Sequence, residues 1–93
     1  MARYIKGTFK FSKLKNPDIN PKVIADALSA WGNQYAQHVL IYTIPSDTAI
    51  RVDFDITADS PSICSALLQL LKDKARAWGS IQRIAEIKGE RLK

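Results

Sequence analysis

Residues 60–79, SPSICSALLQLLKDKARAWG, read as one amphipathic helix with a start signal, an apolar stripe and a stop signal. Ser60 offers a side-chain oxygen to a free amide of the first turn, and Pro61 sits where a missing N–H costs nothing. At about 100° per residue, Cys64, Leu67, Leu68, Leu71, Ala75 and Trp78 share one face, flanked by Ile63 and Leu70. Lys72, Lys74 and Arg76 lie near the carboxyl end, where the helix dipole favours cations. Gly79 is read as a left-handed stop. Such a stripe needs a surface to lie on.

The flanking segments supply that surface. Residues 49–56, AIRVDFDI, alternate: Ile50, Val52, Phe54 and Ile56 face inward, and Arg51, Asp53 and Asp55 outward. Residues 38–44, HVLIYTI, form a strand with large apolar residues on both faces, and Pro45, Ser46 and Asp47 make the turn between the two. Residues 80–88, SIQRIAEIK, form a last strand, less cleanly alternating, before a short basic tail. At the other end, residues 4–11, YIKGTFKF, alternate with Ile5, Gly7, Phe9 and Phe11 on the inner side. Residues 12–19 are a loop by composition. Asn20-Pro21 repeats the helix start signal, ahead of a stripe of Val23, Ile24, Ala27, Leu28 and Trp31 that Gly32 is expected to stop. Both helices thus end in Ala-Trp-Gly, at 30–32 and 77–79, which suggests a weak internal duplication of a strand–helix–strand unit.

The order strand, helix, strand, strand, helix, strand, with right-handed crossovers, places both helices on one side of a four-stranded antiparallel sheet of order 4-1-3-2. Over the whole chain this α+β, two-layer arrangement resembles the ferredoxin-like fold. The resemblance is one of topology, and a fold shared by many functions implies none. The expected core is Ile5, Phe9, Phe11, Ile24, Leu28, Trp31, Ile50, Val52, Phe54, Leu67, Leu71 and Trp78.

A length of 93 residues fits a single domain, 1–93, and 46% apolar with 25% charged residues is ordinary for a globular protein. One cysteine, Cys64, permits no internal disulfide and suits a reducing compartment. With no apolar run of membrane-spanning length and no signal-peptide core, the expected location is cytoplasmic. The net charge of +5 is unevenly placed. Residues 1–15 hold Arg3, Lys6, Lys10, Lys13 and Lys15 without an acid, whereas residues 16–62 are dominated by aspartates. The carboxyl-terminal part is again basic.

Enzyme chemistry finds little support. His38 is the only histidine and is far in sequence from Cys64, which lies on an apolar helix face as a packed thiol. Asp53 and Asp55 project from one face, as paired metal ligands do. The first strand, however, offers lysines where a further carboxylate would be needed, and Lys6 and Lys10 are expected to stand across from these aspartates as charge pairs. There is no glycine-rich phosphate loop, no Cys-x-x-Cys and no nucleophile elbow, and residues 12–15 lack the phosphate-cradling loop of the acylphosphatases. The reading is a chain without catalytic residues, metal or cofactor.

Two binding readings remain. The first is contact with protein, either a second copy or another chain, through Leu40, Tyr42 and Ile44. They lie on an edge strand that lacks the charge or proline that normally blocks pairing. The alternative is sequence-tolerant, electrostatic binding of RNA or single-stranded DNA by Arg3, Tyr4, Lys6, Lys10, Lys13, Lys15, Arg51, Arg83 and Lys88. A stacking platform of the RNA-recognition-motif type is disfavoured, because Phe9, Phe11 and Phe54 have inward parity. Both tryptophans are read as closing the ends of the core.

Overall fold

The structure, a computed structural model, describes residues 2–45 and 50–91, without the side chains of Pro45 and Arg91. Its elements are β1 (Ala2–Leu14), α1 (Pro21–Gln34), β2 (Val39–Pro45), β3 (Ile50–Ala58), α2 (Pro61–Arg76) and β4 (Gly79–Arg91). The strands form one antiparallel sheet of order β2-β3-β1-β4, the expected 4-1-3-2 order read from the opposite edge. With both helices packed on one face, the chain is a ferredoxin-like α+β two-layer sandwich. The expected turn at Ser46 and Asp47, and Ala49 as the start of β3, lie outside the described residues.

Each helix begins where its cap directs. The Asn20 side chain accepts from the Lys22 amide at 3.0 Å, and the Ser60 hydroxyl accepts from the Ile63 amide at 3.3 Å. The α2 stripe buries Cys64, Leu67, Leu68, Leu71 and Ala75, while Ile63 and Leu70 on its flank stay exposed. α2 lies over β1, β3 and β4, and α1 lies over β2. Every expected core residue is buried except Trp78, which is half-buried at the margin of the cluster. Val39, Ile56, Ala58, Cys64, Leu68 and Ala75 complete that cluster. The Phe9 ring stands 6.0 Å from Phe54 and 6.4 Å from Phe11, within the range of favourable aromatic pairs.

The two glycines expected to stop the helices do something else. Among the described residues no glycine has a positive φ. Gly32 lies inside α1, which continues to Gln34, and an added Cβ would stand 3.1 Å from Ile41 Cδ1. It is a packing glycine that lets α1 approach β2. Gly79 opens β4, where a Cβ would collide with the Lys13 carbonyl oxygen. The two Ala-Trp-Gly stretches therefore occupy unlike places, one inside a helix and one entering a strand. This removes the main support for an internal duplication. The close approach at Gly79 also explains why β1 runs on to Leu14 through residues expected in a loop. Lys13 pairs with Ser80, Leu14 with Gly79, and the Lys15 amide donates to the Trp78 carbonyl at 2.9 Å.

Candidate interaction surface

The face of the sheet away from the helices is built in rows that cross all four strands. In the order β2, β3, β1, β4, one row reads Leu40, Asp55, Lys6, Ile87, the next Tyr42, Asp53, Thr8, Ala85, and the third Ile44, Arg51, Lys10, Gln82. Apolar side chains stand at the two edges, Gln82 excepted, and polar ones along the middle. Leu40, Tyr42 and Ile44 are 56%, 66% and 48% exposed, and Ile87 at the far edge is 51% exposed. Their alternating neighbours Val39 and Ile41 pack on the core, so the parity of β2 is settled by the helix layer. Lys6 does stand opposite Asp55, as expected. Lys10 instead meets Arg51, because the register places Thr8 opposite Asp53.

The sequence pattern does not single out Ile87, and a β-bulge is the reason. β4 pairs Ile81 with Phe11 and Arg83 with Phe9, both toward the helices, and then shifts so that Ala85 pairs with Thr8. The extra residue, Ile84, reverses the parity of everything after it. Glu86 and Lys88 thus turn to the helix side, opposite Gly7 and Ile5, and Ile87 turns outward. The Glu86 carboxylate lies 3.8 Å from Lys72 of α2 and 3.5 Å from Arg83. Strict alternation counted from Ile81 would have put Ile87 in the core.

The middle of the face is organised by Asp53. Its carboxylate accepts from the Thr8 hydroxyl at 2.7 Å and from Arg51 Nε at 2.9 Å. The Arg51 hydrogen bond holds the Asp53 carboxyl below its usual range, with partial burial opposing and the Thr8 bond assisting, and it pushes Arg51 upward in turn. A carboxyl with a lower value folded than unfolded stabilises the fold at neutral pH. That contribution is lost as pH falls from about 4 through the folded value. Asp53→Asn is therefore expected to flatten the acid side of the stability profile and leave the alkaline side unchanged. Urea midpoints compared at neutral pH and near pH 3 check it.

The basic residues are spread over the molecule. Tyr4, Lys6, Lys10 and Arg51 have outer-face parity, whereas Arg3, Arg83 and Lys88 pair with helix-side positions. Three of them stand beside acids: Arg3 lies 2.8 Å from Glu90, Arg51 2.9 Å from Asp53 and Arg83 3.5 Å from Glu86. Lys13 and Lys15 come together with Arg76 of α2 along an open groove of about 640 Å³, floored by Leu14, Gly79, Ser80 and Ile81. Arg76 is the member of this group that the sequence reading does not include. His38 is exposed, with Nδ1 3.1 Å from the Thr57 carbonyl. Cys64 is buried and its thiol donates to the Arg3 carbonyl at 3.4 Å. Among the described residues no three His, Cys, Asp or Glu side chains gather as a metal set, and no helix is long and apolar enough to cross a membrane.

Fold and surface together define a small α+β sandwich with one sheet face open. Compared with protein-family models, curated proteins and solved structures, the chain matches none.

Proposed function

We propose that this chain is a small, non-catalytic binding module that works by self-association or contact with another protein through the outer face of its sheet, with β2 at one side of the contact. The observation that supports this reading is the strip of Leu40, Tyr42 and Ile44, three large side chains about half exposed or more on a face the helices leave open. Each such side chain contributes roughly 1.5–3 kcal/mol when fully buried, so covering the strip is strongly favourable. The buried single thiol suits a reducing, cytoplasmic setting. A Leu40→Lys, Tyr42→Lys double variant is expected to keep its fold, because both side chains already face solvent. It should weaken the association of the wild-type chain by about a hundredfold or more. Sedimentation velocity over a concentration series reads the change, and an association indifferent to both substitutions would contradict the reading.

A second reading draws on the groove beside Lys13, Lys15 and Arg76, where three cations line one depression; among the described residues no acid lines its wall, and Arg76 lies 3.4 Å from Asp73 beside it. It would hold the phosphates of a single-stranded nucleic acid without regard to sequence. Binding of labelled single-stranded RNA should then weaken with salt at a log–log slope of about −0.7 per phosphate engaged. Lys13→Glu should flatten that slope, as fluorescence anisotropy would show. Absence of binding at micromolar protein and low salt contradicts it.

A further inference from the structure

The arrangement of the outer face is complementary to itself. We infer that two copies of this chain pack outer face on outer face about a two-fold axis that lies between the sheets and runs parallel to the strands, an inference that rests on the association reading above. Such an axis keeps each row at its own height and reverses its order across the strands. β2 of one copy then lies over β4 of the second. Leu40 meets Ile87, Asp55 meets Lys6, Lys6 meets Asp55 and Ile87 meets Leu40. In the next row Tyr42 covers Ala85, and the Thr8 hydroxyl faces the Asp53 carboxylate. In these two rows apolar edge lies on apolar edge, and in the first of them opposite charges meet in the middle; in the third, Ile44 lies over Gln82.

The other face-to-face two-fold, perpendicular to the strands, is less well matched on charge. It sets Asp55 over Arg51, but also Lys6 over Lys10 and Asp53 over its own symmetry mate, and like charges brought together at an interface are unfavourable. The parallel axis brings only Lys10 and Arg51 together as like charges, once from each copy, and there Arg51 already carries the Asp53 carboxylate at 2.9 Å. Pairing of β2 edges into a continuous sheet is also less well matched. It would satisfy backbone groups but leave Leu40, Tyr42, Ile44 and Ile87 pointing into water.

Four strands about 4.8 Å apart and some seven residues long give a footprint on the order of 1,000 Å² over both copies, the low end for a specific interface. The bulge in β4 is what makes the face self-matching, since it alone brings Ile87 to the side where Leu40 lies. Charged pairs in the middle set the register of the two sheets, which a purely apolar face would leave free to slide.

The test uses two exposed positions at opposite edges of one sheet, about three strand spacings apart, where no contact within a chain can compensate. Leu40→Lys alone places a lysine over Ile87, and Ile87→Glu alone places a glutamate over Leu40. Each variant by itself should dissociate at least tenfold more readily than wild type. Mixed in equal amounts, the two should form a heterodimer, with the introduced lysine over the introduced glutamate in one contact and the native Ile87–Leu40 pair in the other. Light scattering follows the masses, and native mass spectrometry with one chain isotopically labelled identifies the heterodimer. Circular dichroism verifies that each variant is folded, and Leu40→Gln with Ile87→Gln repeats the weakening without introducing charge. Weakening of each variant and rescue on mixing is the result expected. A dimer insensitive to both substitutions, or weakened by Leu40→Lys alone, overturns the two-fold packing while leaving association itself standing. A wild type that remains monomeric at several hundred micromolar overturns self-association and the packing together.

Discussion

Phe54→Ala is expected to remove about 3–5 kcal/mol of stability. That is a large part of the total for a domain whose whole stability is on the order of 5–15 kcal/mol. Phe54 is 5% exposed, its ring leans on Phe9 at 6.0 Å, and its backbone is flanked by Gly7 on one side and Ile41 on the other. It sits in the strand that both β1 and β2 pair with, so the void would open in the middle of the core, beneath α2. Thermal or urea unfolding followed by circular dichroism measures the loss. An unchanged midpoint would mean that the inner and outer faces of β3 have been assigned the wrong way round.

Gly7→Ala should be nearly as damaging, although it adds a single methyl group. A Cβ at Gly7 would collide with the Ala85 carbonyl oxygen and stand 2.9 Å from the Glu86 Cα. Both obstacles are backbone, which cannot swing aside as a side chain can. The variant must push β4 away from β1 at the bulge, at a cost near the upper end of overpacking, about 3 kcal/mol. The same substitution in an exposed strand interior would normally help, because alanine loses less backbone entropy on folding than glycine. A gain in stability in Gly7→Ala would therefore contradict the close approach of the two strands. Unfolding midpoints decide it, and hydrogen exchange would place the loosened amides along β1 and β4.

Much of this architecture is legible in the residues, because strong local signals agree with one another. Ser60-Pro61 and Asn20-Pro21 announce the helices, and the alternation of residues 50–56 assigns β3 without ambiguity. What is not legible has a common cause, namely backbone contacts between distant segments. Gly32 and Gly79 carry the composition of helix stops, yet their role is to let another element come close, Ile41 in one case and the Lys13 backbone in the other. The inner positions of β4 after the bulge hold Glu86 and Lys88, and Glu86 is served by Lys72 of a helix that is remote in sequence. A polar residue on a covered face breaks the period-two pattern, and so the pattern hides Ile87. The outer strip of β2 is visible because Leu40, Tyr42 and Ile44 need only local parity to be placed. The cluster of Lys13, Lys15 and Arg76 is not, since it forms only when the start of β4 meets the end of β1.

The pairing of β1 with β4, from Ala2 opposite Arg91 to Leu14 opposite Gly79, has a kinetic side. The first strand of the chain is an inner strand of the sheet, and one of its two neighbours is the last strand. Bringing them together closes a loop of nearly the whole chain, and proteins dominated by such distant pairings refold in milliseconds to seconds rather than microseconds. Until β4 docks, a half-formed sheet of β2, β3 and β1 exposes the backbone edge of β1 at its full length, alternating and rich in aromatics. That transient edge is a better template for stray strand pairing than either edge of the finished sheet. Refolding yield should accordingly fall with protein concentration more steeply than the stability of the native state would suggest.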